Sequence, residues 1–169
     1  MTDQLRFVLD ANVLIEAHRR YYSFDIAPCF WRVLLGLANR GNVLSIDRVK
    51  QELANSDKED ALQIWANSDF SQCFMSTENE SVFKAYREII DWSFRQPQYY
   101  DSAKAEFANV ADSWVVAFAK AFKCIVVTQE QFSRDAKKRI LIPNACKAFG
   151  VEYMNTFEML RYLNASLGE

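Results

Sequence analysis

Four acidic residues that are far apart in the sequence stand close to the ends of apolar segments. They are Asp10, Glu52, Asp112 and Glu130. Carboxylates that lie close together repel one another, so such a group is stable only when raised pKa values or bound cations neutralise it. Ligands that are all oxygen suit Mg²⁺ or Mn²⁺ better than zinc. Two such ions can activate a water and stabilise the leaving oxygen during phosphodiester cleavage, which is one chemistry that such a group of acids can support.

The segments that carry these acids must bring them to one place, and their apolar patterns predict strands that alternate with helices. Predicted strands cover residues 6–9, 43–46, 124–128 and 151–154, with a further short strand considered at 73–76. Strands in this arrangement form a parallel sheet with helices on both faces, and functional groups gather beyond the carboxyl ends of the strands. The sequence therefore predicts an α/β fold of three layers, α/β/α, with a central, mainly parallel sheet.

Helices are predicted in the intervening segments. They comprise a helix that begins near Val13, one over 30–40, one that Asp47 caps, most of 58–95, one over 108–123 and one that begins at Asn155 or Thr156. The chain has 169 residues, of which 50% are hydrophobic, so it is long enough for one sizeable core and short for two. We expect a single domain over residues 1–169.

Three of the four acids also have an ordinary structural interpretation. Asp10 can cap the helix that follows it, and Glu52 can be a solvated residue in the first turns of its helix. Asp112 precedes the apolar residues of its helix, where an acid stabilises the helix dipole. These alternatives stay open for each residue alone. Only the convergence of all four acids at one sheet edge favours a metal site.

The charge and cysteine content limit the classes of protein that fit this chain. Acidic residues outnumber basic ones by 22 to 20, which gives a formal charge of −2, so any RNA contact needs a local basic patch or bound metal. The four cysteines are widely spaced, which favours reduced thiols over a metal motif or a disulfide framework. The amino terminus lacks a signal-peptide pattern, and no apolar run is long enough for a membrane span. We expect a soluble, cytoplasmic protein without membrane association.

Four segments around the acids resemble the motifs of the PIN-domain nucleases. Residues 7–15, FVLDANVLI, resemble that family's strand that ends in Asp, with Asn or Ser two residues on. Residues 45–53, SIDRVKQEL, resemble the segment that carries its Glu, and residues 111–119, ADSWVVAFA, resemble its helix-opening acid. Residues 128–132, TQEQF, resemble its last motif, with Glu130 in the place of the usual Asp or Asn. All four segments stand in the family's order.

The resemblance implies a PIN-like fold and a metal-dependent endoribonuclease, often the toxin of a prokaryotic toxin–antitoxin pair of the VapC type. It implies catalytic and metal-ligating roles for the four acids, while Asn12 and Thr128 would orient the acids or the attacking water. The expected partners are an RNA substrate and an antitoxin protein, with a homodimer left open. Glu130 is one methylene longer than the usual Asp, so its carboxylate would bind a metal through water or lie displaced from the usual position. The long middle region exceeds the compact toxin pattern, which indicates a divergent subfamily.

Two basic clusters are candidates for contact with RNA phosphates. They are His18, Arg19 and Arg20, and Lys137, Lys138 and Arg139. A solvated surface is the commoner explanation of such clusters. His18 is also a weak candidate for a general base, because a metal-activated water needs no histidine. Five aromatic residues between positions 21 and 31 can stack on single-stranded bases or pack against the core or a dimer seam, and packing is the preferred interpretation.

Two other functions fit parts of the pattern. A binding or assembly module could keep the PIN-like fold without cleavage, and its metal binding would change little when Asp10 is replaced by Asn. A phosphoaspartyl protein, either a receiver domain or a phosphatase, would use an acid after its first strand. Such phosphatases carry the pattern D-x-D, whereas Asn12 occupies the second acidic position here. The nuclease is therefore the leading hypothesis.

Overall fold

A parallel sheet of short apolar strands lies at the centre of the protein, which a computed structural model describes over residues 4–55 and 59–168. Its strands are β1 Phe7–Leu9, β2 Val43–Ile46, β3 Phe74–Met75, β4 Ile125–Val127 and β5 Tyr153–Met154. They lie in the order β3-β2-β1-β4-β5, and each neighbouring pair is parallel. The predicted α/β fold with a central parallel sheet is confirmed.

Strand β1 lies in the middle of this sheet. It pairs with β2 through Phe7 and Val43, and with β4 through Leu9 and Val127. All residues of β1 and β4 are buried, as expected for inner strands of a parallel sheet that is covered on both faces. Because β1 and β4 are adjacent and parallel, the residues that follow them emerge next to each other at one edge.

Helices connect the strands. They are α1 Ala11–Glu16, α2 Pro28–Asn39, α3 Asp47–Leu53, α4 Ala61–Asn67, α5 Glu80–Arg95, α6 Asp101–Asn109, α7 Ala111–Phe122, α8 Ile142–Phe149 and α9 Thr156–Tyr162. A π-helical turn, Ala17–Tyr21, extends α1, and a 3₁₀ turn, Ser71–Cys73, precedes β3. Within residues 4–55 and 59–168, no helix is long and apolar enough to cross a membrane.

Two of the predicted helices are divided in the structure. The segment predicted as mostly helical, 58–95, begins at a residue outside the described ranges and consists thereafter of α4, β3 and α5. The predicted helix over 108–123 is interrupted at Val110, which has an extended backbone with φ −104° and ψ 166°. Its first two residues end α6, most of which was not predicted, and the remainder is α7. The break gives α7 an amino terminus of its own, and Asp112 lies in its first turn.

The predicted capping role of Asp47 is wrong. Asp47 is the first residue of α3, and no side-chain cap bond is formed at this helix start. Its carboxylate instead accepts hydrogen bonds from the Thr77 backbone N–H at 3.0 Å and from Thr77 Oγ1 at 2.8 Å. Both carboxylate oxygens are therefore used by donors that follow β3, and they join the start of α3 to the end of that strand.

The aromatic residues between positions 21 and 31 form a packed group, as preferred from the sequence. Phe30 and Trp31 are buried. Tyr22 stacks on Phe30 with ring centroids 4.5 Å apart, and Phe24 stacks on Trp31 at 4.0 Å. Tyr21 differs from the others because 62% of its surface is exposed. Four of these five side chains therefore pack against the core, and one is available to a ligand.

The four cysteines are free thiols in the structure. Cys124 and Cys146 are buried, while Cys29 and Cys73 are partly buried. Burial raises the pKa of Cys146 to about 12, with a further rise from the charge of Glu130. A thiol of this pKa stays protonated near neutral pH and is a poor nucleophile, so Cys146 acts as a small apolar core residue.

Candidate active site

Asp10 follows the central strand directly and is fully buried at the carboxyl edge of the sheet. Its backbone N–H donates to the Val127 carbonyl of β4 at 3.0 Å. The hydroxyl of Thr128 donates to Asp10 Oδ2 at 3.3 Å, whereas Oδ1 has no hydrogen-bond partner within the described part of the chain. A buried carboxylate oxygen without a donor is costly unless it is protonated or near a cation. Asp10 is therefore poorly explained as a purely structural residue.

The helix-capping alternative for Asp10 does not describe its side chain. Asp10 occupies the position before α1, but its carboxylate makes no cap hydrogen bond. The Asn12 backbone N–H lowers the pKa of the carboxyl, but it does not have the geometry of a cap hydrogen bond. The side chain is thus left free to interact with other groups at the sheet edge.

Asp112 reaches the same edge from the first turn of α7. Every residue from Ala111 to Ala119 in this helix is buried, Asp112 included. Its carboxylate oxygen Oδ2 lies 3.2 Å from Nη2 of Arg139. The apolar surroundings fix the helix against the sheet, and the carboxylate is therefore held in place by the core rather than by solvent contacts.

Glu130 lies just after β4, and its longer side chain reaches the start of α8. Its backbone N–H donates to Thr128 Oγ1 at 3.1 Å, and its Oε2 accepts a hydrogen bond from the Ile142 N–H at 2.7 Å. Its other oxygen, Oε1, lies 3.0 Å from Arg139 Nη2, an ion-pair contact without hydrogen-bond geometry. The extra methylene therefore allows Glu130 to contact both α8 and the guanidinium.

Glu52 is partly buried on α3 and points to the start of α7. Its Oε1 accepts a hydrogen bond from the Ala111 backbone N–H at 2.8 Å. An oxygen in this position satisfies one of the free N–H groups at a helix start. The interpretation of Glu52 as a merely solvated residue is therefore wrong, because its carboxylate holds the residue next to Asp112.

The four carboxyl groups influence one another electrostatically. Burial raises the pKa of Asp10 well above its ordinary value, and the charges of Asp112, Glu130 and Glu52 raise it further. Burial is also the main cause of the raised pKa values of Asp112, Glu52 and Glu130, which the positive charge of Arg139 partly offsets. The structure thus brings together all four acids that the sequence singles out.

The donor set fits a hard divalent cation, although the side chains do not form a complete site in this conformation. All four acids offer carboxylate oxygens, and Oδ1 of Asp10 is buried without a donor from residues 4–55 or 59–168. Among the residues that the structure describes, no group of three or more His, Cys, Asp or Glu side chains is arranged around one metal position. Arg139 lies between Asp112 and Glu130 instead. The chemistry of the oxygens therefore suits Mg²⁺ or Mn²⁺, but the positive charge beside them is a guanidinium.

A cavity of about 570 Å³ opens beside Glu130, the member of the four acids that lines it. Its wall includes Asn12, Tyr21, Gln129, Glu130, Arg139 and Phe157. Tyr21 and Phe157 are exposed aromatic side chains, and Gln129 is held by a hydrogen bond from its Nε2 to Thr156 Oγ1 at 3.0 Å. The sequence interpretation included Asn12 but missed Phe157 and Gln129. The position of Phe157, just beyond the carboxyl end of β5, was the signal that could have identified it.

The first basic cluster forms local ion pairs. His18 Nε2 lies 3.6 Å from Asp60, and its ring packs against Phe24 with centroids 5.6 Å apart. Arg20 pairs with Glu16 at 3.1 Å on the exposed side of the same helical segment, and Arg19 is exposed. These contacts are typical of a solvated surface, and they do not include the four acids.

The residues of the second basic cluster have different surroundings, because two are on the surface and one contacts the acids. Lys137 and Lys138 are exposed. Arg139 is 47% exposed at its side chain but forms ion pairs with Asp112 and Glu130. Burial of the guanidinium is the largest single influence on the pKa of Arg139 and lowers it. The negative charges of Glu130 and Asp112 act in the opposite direction, and the net effect is a raised pKa. The sequence pattern placed Arg139 with its lysine neighbours and did not predict this contact.

The chain was compared with known families and structures. A family model described as a domain of unknown function (DUF4411) matches residues 7–167. No curated protein matches the sequence. The crystal structure of FitAcB from Neisseria gonorrhoeae is similar, with a TM-score of 0.51 at 16% identity over 89% of this chain and 98% of that chain. VapBC2 from Rickettsia felis, bound to a DNA fragment from their promoter, has a TM-score of 0.52 at 12% identity with the same coverage.

Similarities at such low identity establish the fold, and the PIN-like fold that the sequence resemblance implies is confirmed. The match of the family model covers nearly the whole described chain. The protein is therefore a member of the DUF4411 family with a PIN-like α/β fold.

Proposed function

We propose that this protein is a Mg²⁺- or Mn²⁺-dependent endoribonuclease that hydrolyses phosphodiester bonds in RNA. The observation that carries the proposal is the carboxylate of Asp10, which is fully buried and has three other carboxyl groups around it. One of its oxygens has no donor among the residues that the structure describes. Such an arrangement is unfavourable for ionised carboxylates unless a cation neutralises them. In this proposal Asp10, Glu52, Asp112 and Glu130 are the metal ligands.

A bound divalent cation would supply activation of a water and neutralisation of the charge that develops on the leaving oxygen. The chain's own contribution is the positioning of the acids. Thr128 holds Asp10 through its hydroxyl and holds the Glu130 backbone through the same oxygen. Glu52 holds the start of α7 and so fixes the place of Asp112. Burial among apolar residues keeps Asp10 and Asp112 away from bulk water, which strengthens their interaction with a cation.

The cavity beside the acids supports an RNA substrate. Its volume, about 570 Å³, is in the range of small-ligand sites and admits a nucleotide-sized group. Exposed aromatic side chains such as Tyr21 and Phe157 can stack on unpaired bases, and Asn12 and Gln129 offer amide groups to base edges. Lys137 and Lys138 stay candidates for phosphate contacts, and Arg139 lies at the boundary between cavity and acids.

We further propose that the protein is the toxin of a toxin–antitoxin pair in the cytoplasm. The similar structures are of FitAcB and of VapBC2, and the sequence motifs resemble the VapC type. A small DNA-binding protein encoded beside this gene would be the antitoxin. Copurification of the two proteins would support the pairing, and light scattering on the free chain would decide whether it is a homodimer. One cooperative unfolding transition of the free chain would support a single domain.

Cleavage of varied RNAs by the purified free chain in Mg²⁺ and in Mn²⁺ tests the nuclease proposal. We expect cleavage that Asp10→Asn abolishes. The assay must use the chain without an antitoxin, since a bound partner can block the site. The proposal fails if no RNA is cleaved, or if Asp10→Asn cleaves as fast as the wild type.

The ion pairs of Arg139 favour a second candidate function, a PIN-like binding or assembly module without cleavage. A guanidinium that stays between Asp112 and Glu130 would keep a cation from their oxygens. This candidate predicts no Mn²⁺-dependent cleavage and little change in metal binding on Asp10→Asn. The same assay, with Mn²⁺ titration of both proteins, distinguishes the two functions.

A further inference from the structure

The acids at the sheet edge are partly neutralised by a residue of the chain itself. A single atom, Nη2 of Arg139, lies 3.2 Å from Asp112 Oδ2 and 3.0 Å from Glu130 Oε1. The side chains of both acids are almost fully buried, with 7% and 11% exposure. Arg139 is therefore the positive group that makes their proximity tolerable in the absence of metal.

The same two oxygens cannot serve Arg139 and a divalent cation together. A Mg²⁺ ion requires its oxygen ligands at about 2.0–2.1 Å. An atom that bridges Asp112 and Glu130 at hydrogen-bond distance occupies the space between them, and its positive charge repels a second cation. Binding of a metal by these oxygens therefore requires that the guanidinium withdraw.

Arg139 is placed where it can withdraw without disturbing the core. It belongs to the segment between β4 and α8, and nearly half of its side chain is exposed. It also lines the cavity of about 570 Å³ beside the acids. A side chain that lines this cavity and is half exposed has open space beside it, so withdrawal of the guanidinium needs a change of side-chain rotamer rather than of the buried core.

We infer that Arg139 is an internal counter-cation that exchanges with a divalent metal ion at Asp112 and Glu130. In the metal-free protein the guanidinium occupies the space between Asp112 and Glu130. Metal binding there displaces the Arg139 side chain into the cavity. The inference rests on the proposed metal site. It adds that Arg139 controls whether the oxygens of Asp112 and Glu130 are available to a metal ion. Arg139 is thus a positioning residue in the metal-free state and a competitor of the metal.

Calorimetric titration with MnCl₂ tests this exchange. We expect Arg139→Gln to bind Mn²⁺ about tenfold more tightly than the wild type, because no ion pair has to be broken. Lys138→Gln is the matched control, since it removes the same charge from the neighbouring exposed residue. Its affinity should change less than twofold, which separates direct competition from a long-range effect of charge. Equal effects of the two variants would overturn the inference.

Thermal unfolding gives a second readout that does not depend on activity. Metal-free Arg139→Gln should have a lower Tm than the wild type, and Mn²⁺ should raise its Tm by more. If this variant does not fold without metal, Arg139→Lys keeps the charge with a shorter reach and should bind Mn²⁺ with intermediate affinity. Weaker Mn²⁺ binding by either variant would mean that Arg139 orients the acids for the metal, and the exchange would be refuted.

The titration also separates failure of this inference from failure of the proposed function. If the wild type and Arg139→Gln both bind no Mn²⁺, the metal site itself is refuted. If the wild type binds Mn²⁺ and Arg139→Gln binds it no more tightly, the metal site stands and only the exchange is wrong.

Discussion

At the scale of single residues, Asp10 has the least ordinary environment in the molecule. It combines full burial, one hydrogen bond from Thr128 and an oxygen without a donor. The sequence could predict its position, because an acid directly after an apolar strand must lie at the sheet edge. It could not predict that Oδ1 of Asp10 has no hydrogen-bond donor among the described residues, since that depends on how four distant segments meet.

The raised pKa of Asp10 makes the stability of the metal-free protein depend on pH. Burial favours the protonated form in the folded state, so the folded-state pKa exceeds the unfolded value of about 4. The associated stability is fully present below that value and is lost as the pH rises through the raised pKa. We expect Asp10→Asn, which cannot ionise, to be more stable than the metal-free wild type at pH 7 by about 1 kcal/mol or more.

Thermal unfolding in EDTA between pH 4 and pH 8 measures this difference. The advantage of Asp10→Asn should shrink toward pH 4, where the wild-type carboxyl is also protonated. It should shrink again at pH 7 when Mn²⁺ is added, because a cation stabilises only the ionised wild type. A lower Tm of the variant at pH 7 in EDTA would show that the carboxylate is stabilising without metal, contrary to this account.

At the scale of helices and strands, the apolar runs were sufficient to predict β1, β2 and β4. Their short, continuous apolar runs are typical of strands in a parallel sheet that is covered on both faces. The boundary between α6 and α7 was missed because residues on both sides of Val110 have helical patterns, and the extended backbone there is set by tertiary contacts. One such contact is the hydrogen bond from Ala111 to Glu52, which no local pattern reveals.

Glu52 combines a structural role with a proposed ligand role, and two substitutions separate them. Glu52→Gln keeps an oxygen that can accept from Ala111, so its free energy of unfolding should change by less than about 0.5 kcal/mol. Glu52→Ala removes the acceptor and should cost about 1 kcal/mol, as loss of a helix cap does. If Glu52 is a metal ligand, both variants should bind Mn²⁺ more weakly.

Urea unfolding and Mn²⁺ titration of the two variants give the required numbers. If Glu52→Gln binds Mn²⁺ with the wild-type affinity, Glu52 is not a metal ligand and has only its structural role. Equal loss of stability in both variants would show that the bond to Ala111 contributes little.

At the scale of the whole molecule, the fold places a cavity between α1 with its π-helical extension and the start of α9, beside the acids. The sequence predicted the sheet edge at which the acids meet. It did not predict the cavity, whose walls come from both ends of the chain. The role of Arg139 was missed for a similar reason, because its neighbours Lys137 and Lys138 made the segment resemble a solvated basic patch.

The cavity predicts a specific effect on RNA binding. Replacing Tyr21 or Phe157 by Ala should weaken the binding of a single-stranded RNA by about fivefold or more, roughly 1 kcal/mol, through loss of base stacking. Fluorescence anisotropy in an Asp10→Asn background measures binding without cleavage. Phe94→Ala is the control, because Phe94 is similarly exposed, at 55%, but lies on α5 away from the cavity. An equal effect of all three substitutions would refute a specific RNA site.

The central claim is that the acids at the sheet edge perform metal-dependent cleavage of RNA. The most direct measurement compares Asp112→Asn with Asp101→Asn, since both acids lie in the first turn of a helix but only Asp112 is buried beside the other carboxyl groups. In Mn²⁺ we expect the free Asp101→Asn protein to cleave RNA at the wild-type rate, and Asp112→Asn to lose at least about a hundredfold in rate. Equal cleavage by the two variants would contradict the account.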